Sequence, residues 1–164
     1  MDFWYAESVE AIAKELIPKY HSHLATASIK YIFKEKSSNV GKKVKLSSEY
    51  KLSDKMKFLT GGIDFLIEIG ADQFNQMDEE TKISMVDHSL THLFGEESEE
   101  TGEMEWSIRS HDAEEFSEIL ARRGCWTKDL VKFAENIPKA SEEKKVMVVK
   151  KPADGAKFDF EEEK

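Results

Sequence analysis

The sequence predicts an α+β fold in which a small, mostly antiparallel sheet packs against helices. Two observations carry this prediction. Some stretches show the 3.6-residue apolar period of amphipathic helices, and shorter stretches alternate or are rich in β-favouring residues. The chain has 164 residues, 40% of them hydrophobic, which suffices for one domain with a sizeable core. We expect that domain over residues 1–137, followed by a charged, weakly ordered tail over residues 138–164.

The first half of the chain is predicted to begin with a helix and to continue with strands. Ser8 is placed to cap the helix, whose apolar residues follow the helical period. Residues 28–34 alternate as a strand, and a short run at residues 43–46 follows turn residues, so the two are expected to form a hairpin. After a polar connection over residues 51–57, residues 63–70 are dense in β-favouring residues and end in glycine, which predicts another strand.

The second half is predicted to contain three helices and one strand. Asp78 is placed to cap a helix whose apolar stripe extends to Gly95, the expected C′ residue. Residues 104–109 alternate as a strand. The last two helices are expected to begin at caps formed by Asp112 and Thr127.

Two histidines on the predicted middle helix carry the chemistry. His88 and His92 are four residues apart, so they share one face and can each direct a ring nitrogen to one ion about 2.0–2.1 Å away. A third ligand must come from elsewhere. His111 is the first candidate, with Asp112 beside it as a cap or an outer hydrogen-bond partner. Glu115 is the second candidate, and the sequence leaves the choice between them open.

Cysteine content and charge narrow the classes of function. Cys125 is the single cysteine, which excludes an intrachain disulfide and a four-cysteine zinc site and indicates a reducing compartment. No stretch approaches the roughly 20 apolar residues of a spanning helix, so we expect no membrane partner. The acidic residues are concentrated after residue 60 rather than spread evenly, which disfavours nucleic-acid mimicry, and nucleic-acid binding through the basic strands from Lys30 to Lys45 is a weaker alternative. His21 and His23 are expected to be exposed and without a role in the metal site.

Four separated sequence blocks occur in an order that is typical of one family. They cover residues 27–33, 58–67, 86–93 and 111–126. Together they resemble the putative phage metallopeptidase family, which consists of small zincin-like proteins encoded by phages and prophages. That family's helix motif DHELxH is matched at Asp87, His88, Leu90 and His92, and its later HDxEEF motif is matched at His111, Asp112, Glu114, Glu115 and Phe116.

The resemblance implies a minimal zincin, similar to SprT-like domains. In such a protein the metal-binding helix packs against the sheet, one Zn²⁺ ion is bound, and the third ligand comes from a following helix. It also implies a location in the cytoplasm of an infected or lysogenic bacterial host. A host protein or a protein substrate is the expected partner, and the oligomeric state is not readable from the sequence.

Ser89 is where this chain departs from the family pattern, because the family has glutamate there. In a zincin that glutamate takes a proton from the attacking water, a task that typically contributes about 10²–10⁴-fold to the rate. Serine cannot hold the proton at neutral pH. We therefore expect a zinc metallopeptidase-like protein with impaired or lost peptidase activity. The alternative is a non-catalytic, metal-stabilised module that binds a host protein, as an inhibitor or anti-defence factor would.

Overall fold

A computed structural model describes residues 1–139, and the predicted tail lies outside the described residues from residue 140 onward. The chain divides into two compact units, Met1–Ser110 and His111–Lys164. The domain bounds expected from the sequence remain a prediction.

Helices and strands alternate irregularly along the first unit, and the described part of the second unit contains two α-helices and no strand. In the first unit they are β1 (Phe3–Tyr5), α1 (Glu7–Tyr20), β2 (Ile29–Lys34), β3 (Ser38–Val40), β4 (Lys43–Lys45), β5 (Ser47–Lys51), α2 (Asp54–Leu59), β6 (Phe65–Gly70), α3 (Ala71–Phe74), α4 (Glu79–Thr91), β7 (Leu93–Glu97) and β8 (Met104–Ile108). The second unit has α5 (Ser117–Arg123) and α6 (Lys128–Asn136). These elements confirm the α+β class.

The main sheet has four strands in the order β1-β2-β6-β5, and β3-β4 and β7-β8 form separate two-stranded sheets. Among the strands of residues 1–139, only β2 and β6 run parallel, so the sheets are mostly antiparallel, as predicted. The predicted hairpin between residues 28–34 and 43–46 is wrong. β2 instead lies between β1 and β6, because its alternate buried residues belong to the core, and β4 pairs with β3 across the turn at Gly41.

The core of the first unit forms where α1 and α4 pack with the main sheet. Residues with no exposed surface come from all three elements, and they include Val9, Phe65, Ile67, Ile69, Val86 and Leu90. Burying a side chain of this size contributes about 1.5–3 kcal/mol relative to leaving it exposed. The packing fixes α4, which carries the two predicted ligands, against one face of the sheet.

Local capping signals predicted two helix starts correctly and two incorrectly. Asp78 caps α4 by accepting from the backbone N–H of Thr81 at 2.8 Å, and Thr127 caps α6. Ser8, in contrast, lies inside the first turn of α1, whose cap position is Ala6. Asp112 caps no helix, because α5 begins only at Ser117.

Two other boundaries of helices or strands differ from the prediction, because strand pairing between residues distant in sequence sets them. Gly95 lies within β7 rather than ending α4, because it is paired with Trp106 of β8. The polar connection predicted over residues 51–57 contains the end of β5 and the first residues of α2. The strand β5 is polar because it is an edge strand of the four-stranded sheet, in which β6 is its one neighbouring strand. Its sequence therefore lacks the apolar density of a central strand.

Asp72 ties α3 to the segment that follows β2. Its Oδ1 accepts from the backbone N–H and from the hydroxyl of Ser37, both at 2.8 Å. Desolvation raises the pKa of the Asp72 carboxyl, but hydrogen bonds from Ser37 and Gln73 lower it by more, so the pKa lies below its ordinary value. The ionised form thus stabilises the folded state at neutral pH.

Asp72→Asn is expected to lower the free energy of unfolding by about 1 kcal/mol at pH 7, since the carboxylate is partly solvated. A group with a lowered folded pKa stabilises above its unfolded pKa, near 3.9, and loses that contribution as the pH falls below it. Urea unfolding at pH 7 and pH 3 should therefore show a difference that shrinks at pH 3. Glu15→Gln, at an exposed position of α1, serves as the control. A difference that stays constant between the two pH values would contradict the assignment.

Candidate metal centre

Two imidazoles converge where α4 ends. His88 lies in the last turn of the helix and His92 is its C-cap residue, with helical backbone angles. Their Nε2 atoms are 3.3 Å apart. Two nitrogens that each lie 2.0–2.1 Å from one tetrahedral zinc ion are separated by about 3.3–3.4 Å. The spacing of the two ring nitrogens therefore fits a shared metal ion.

The chain after β8 sets the orientation of His92. Nδ1 of His92 donates to the backbone carbonyl of Arg109 at 2.6 Å, and the Arg109 N–H donates to the His92 carbonyl at 2.7 Å. Because a carbonyl oxygen only accepts, Nδ1 carries a ring proton, and Nε2 is the nitrogen that faces His88 and is placed to bind a metal ion. This is the usual arrangement of a metal-binding histidine, whose second nitrogen is held by a carbonyl or carboxylate.

His111 supplies the third imidazole. The boundary between the two units falls directly before it, two residues after Arg109. One ligand atom from each of His88, His92 and His111 lies within 4.8 Å of the others.

The other predicted ligands are placed differently. Glu115 accepts from the backbone N–H of Phe116 and from the indole N–H of Trp126, both at 2.8 Å, and it is not part of the group of three. The helix predicted to start at Asp112 starts later, so His111 lies in an irregular segment rather than at a helix start.

Ser89 is turned away from the metal-binding side of α4. Its side chain is fully buried, and its hydroxyl donates to Oγ of Ser47 on β5 at 3.1 Å. Residue 89 is rotated about 100° from residue 88 around the helix, which turns it from the ligand side into the core. The single proton of the Ser89 hydroxyl is therefore used in the hydrogen bond to Ser47 on β5.

Comparison with known families decides the relationship that the motifs suggested. The model of the family described as "Putative phage metallopeptidase" matches residues 1–138. The chain belongs to this family. No curated protein and no solved structure matches the chain. Membership of a metallopeptidase family implies a metal ion, and the three imidazoles could bind one.

The opposite side of α4 in this phage metallopeptidase family member is fixed by a histidine outside the cluster. Nε2 of His21 lies 2.6 Å from Oδ1 of Asp87, and His21 is only 5% exposed. The prediction that His21 is exposed is therefore wrong, because the end of α1 packs beside α4. His23 is exposed, as predicted, although its ring contacts the Leu93 carbonyl at 3.0 Å.

Sequence reasoning missed two contributors to the site. The carbonyl of Arg109 has no signature in a sequence, since every residue carries one. Ser47 lies on a strand that the sequence did not predict, and only the pairing of β5 with β6 brings it to Ser89. Among the described residues, no helix is long and apolar enough to cross a membrane.

Proposed function

We propose that this phage metallopeptidase family member is a zinc-dependent, peptidase-like hydrolase in which Ser89 leaves peptide-bond hydrolysis impaired. The observation that supports it most is the 3.3 Å separation of the His88 and His92 Nε2 atoms, with His92 held by the Arg109 carbonyl. His111 completes a donor set of three neutral nitrogens, which suits zinc and leaves a fourth position for water.

Each residue of the site has a separate task. When bound, the ion supplies Lewis-acid polarisation of a carbonyl and activation of a water molecule. The Arg109 carbonyl keeps the His92 ring in the orientation that binding needs. Ser89 supplies no proton acceptor, because its buried hydroxyl is engaged by Ser47. We assign a protein substrate to the site and the cytoplasm of an infected or lysogenic bacterial host as its place of action.

Metal analysis of the purified protein tests the proposal. We expect about one zinc ion per chain, and we expect His88→Ala and His92→Ala each to weaken zinc binding by more than about 100-fold. Even outer partners of ligating histidines typically contribute 10–100-fold. A competition titration with a chromophoric chelator measures the affinities.

His23→Ala is the matched control, because His23 is an exposed histidine outside the group of three. It should retain zinc binding. Removing zinc with a chelator should lower the melting temperature of the wild type and leave that of His88→Ala unchanged, since a ligand stabilises only a state that binds it. Failure of the wild-type protein to take up zinc after reconstitution would refute the metal assignment.

A further inference from the structure

Glu49, on β5, has a carboxylate oxygen that nothing in the first unit satisfies. Its Oε1 is buried and has no hydrogen-bond partner, and it is the only such side-chain atom among residues 1–139. A buried carboxylate oxygen without a partner is costly for a folded protein. An unsatisfied polar atom in a native protein calls for an explanation, and a catalytic role is one of those known.

Glu49 lies on the face of the sheet that contacts α4. Side chains alternate along a strand, so Glu49 shares a face with Ser47, whose hydroxyl accepts from Ser89. In the register with β6, Ser47 is opposite Ile69 and Glu49 is opposite Ile67. Both isoleucines are fully buried, which places Glu49 at the border of the core beside the metal-binding helix.

The direction of α4 relative to β5 determines which helical residues lie level with Glu49. Near the start of α4, Lys82 lies over the ring of Phe74, 5.3 Å from its centroid, and Phe74 follows the end of β6. The helix therefore runs antiparallel to β6 and parallel to β5. From Ser47 to Glu49 the strand advances about 7 Å, which equals four to five helical residues. Starting from Ser89, that step ends at the level of residues 93–94, just beyond His92 at the end of the helix.

The carboxylate of Glu49 lies outside direct metal contact. Among the described residues, the group of donors within 4.8 Å of one another contains three imidazoles and no carboxylate. Glu49 is therefore a candidate for a proton acceptor rather than for a fourth ligand.

We propose that Glu49 is the proton acceptor of this site and performs from β5 the task that Ser89 cannot perform from α4. The inference rests on the proposed function. The O–H bond of the attacking water breaks as its oxygen bonds to the substrate carbonyl carbon, and the proton passes to the Glu49 carboxylate. When the C–N bond breaks, its electron pair stays on nitrogen and Glu49 returns the proton to the leaving amine.

Glu49→Gln tests the proposal, with Glu96→Gln as a matched strand control at an exposed position of β7. The zinc stoichiometry and zinc affinity of both variants should equal those of the wild type. Hydrolysis of a labelled unfolded casein by the zinc-loaded protein should fall about 100-fold in Glu49→Gln only. In the cobalt-loaded protein, the midpoint of the pH-dependent visible spectrum should fall by about one unit in Glu49→Gln, because a nearby carboxylate opposes proton loss from the site.

The outcomes separate the two proposals. If the wild type binds neither zinc nor cobalt, the proposed function fails and Glu49 loses its role with it. If metal is bound but Glu49→Gln leaves the cobalt midpoint unchanged, the inference about Glu49 is refuted and the metal site stands. A loss of metal affinity in Glu49→Gln of more than about 100-fold would also refute it, since Glu49 would then be a ligand.

Discussion

Ser89→Glu is expected to destabilise the metal-free protein by at least about 2 kcal/mol and, in the Glu49→Gln background, to raise hydrolysis of an unfolded substrate about 100-fold once zinc is bound. The destabilisation follows from burial. Ser89 has no exposed surface, so a longer, charged side chain must displace Ser47 or extend along β5. The gain follows from supplying, at the residue next to His88, a carboxylate that can accept a proton.

Urea unfolding in the presence of a chelator measures the first effect, and casein hydrolysis by the zinc-loaded protein measures the second. Ser89→Ala is the matched control. It removes the hydrogen bond to Ser47 and adds no charge, so it should cost about 1 kcal/mol and bring no gain in hydrolysis.

The result would also decide between the two classes of function. If Ser89→Glu in the Glu49→Gln background folds, retains zinc and hydrolyses no more than Glu49→Gln alone, a missing base is not what limits activity. The non-catalytic alternative, a metal-stabilised module that binds a host protein, would then be preferred over the peptidase-like hydrolase.

Gly95→Ala is expected to lower the free energy of unfolding by about 1–3 kcal/mol and to weaken zinc binding about tenfold. A Cβ at residue 95 would lie 2.3 Å from two ring atoms of Trp106. The Trp106 ring cannot easily give way, because it packs edge-on against the buried ring of Phe65, with centroids 5.6 Å apart. Overpacking of this kind typically costs 1–3 kcal/mol.

The effect on zinc follows from the position of the β7-β8 pair. Leu93 is paired with Ile108, the residue before Arg109, so a displaced β8 would move the carbonyl that orients His92. Urea unfolding and the chelator competition measure the two effects.

A double-mutant cycle with Trp106→Ala isolates the contact. In the Trp106→Ala background, Gly95→Ala should lower the free energy of unfolding by less than half as much as in the wild type, because the Trp106 ring that clashes with the new Cβ is absent. Equal costs in the two backgrounds would show that the strain has another origin.

Local signals in the sequence predicted several elements because their information is contained in neighbouring residues. The apolar period and the Asp78 cap are enough to specify α4, and the Thr127 cap specifies the start of α6. The β-rich run before Gly70 specifies β6 for the same reason. Strand pairing is not local, so the sequence misassigned the partner of β2 and missed β5 entirely.

The histidine pair and its family motif were determined by the sequence alone, since a spacing of four residues on a helix fixes a shared face. Only the tertiary structure decided what surrounds that face. It placed the Arg109 carbonyl on His92, brought His111 rather than Glu115 into the group, and buried Ser89 against β5. These contacts join residues distant in sequence, and their positions depend on how α4 packs on the sheet and how β8 returns to β7.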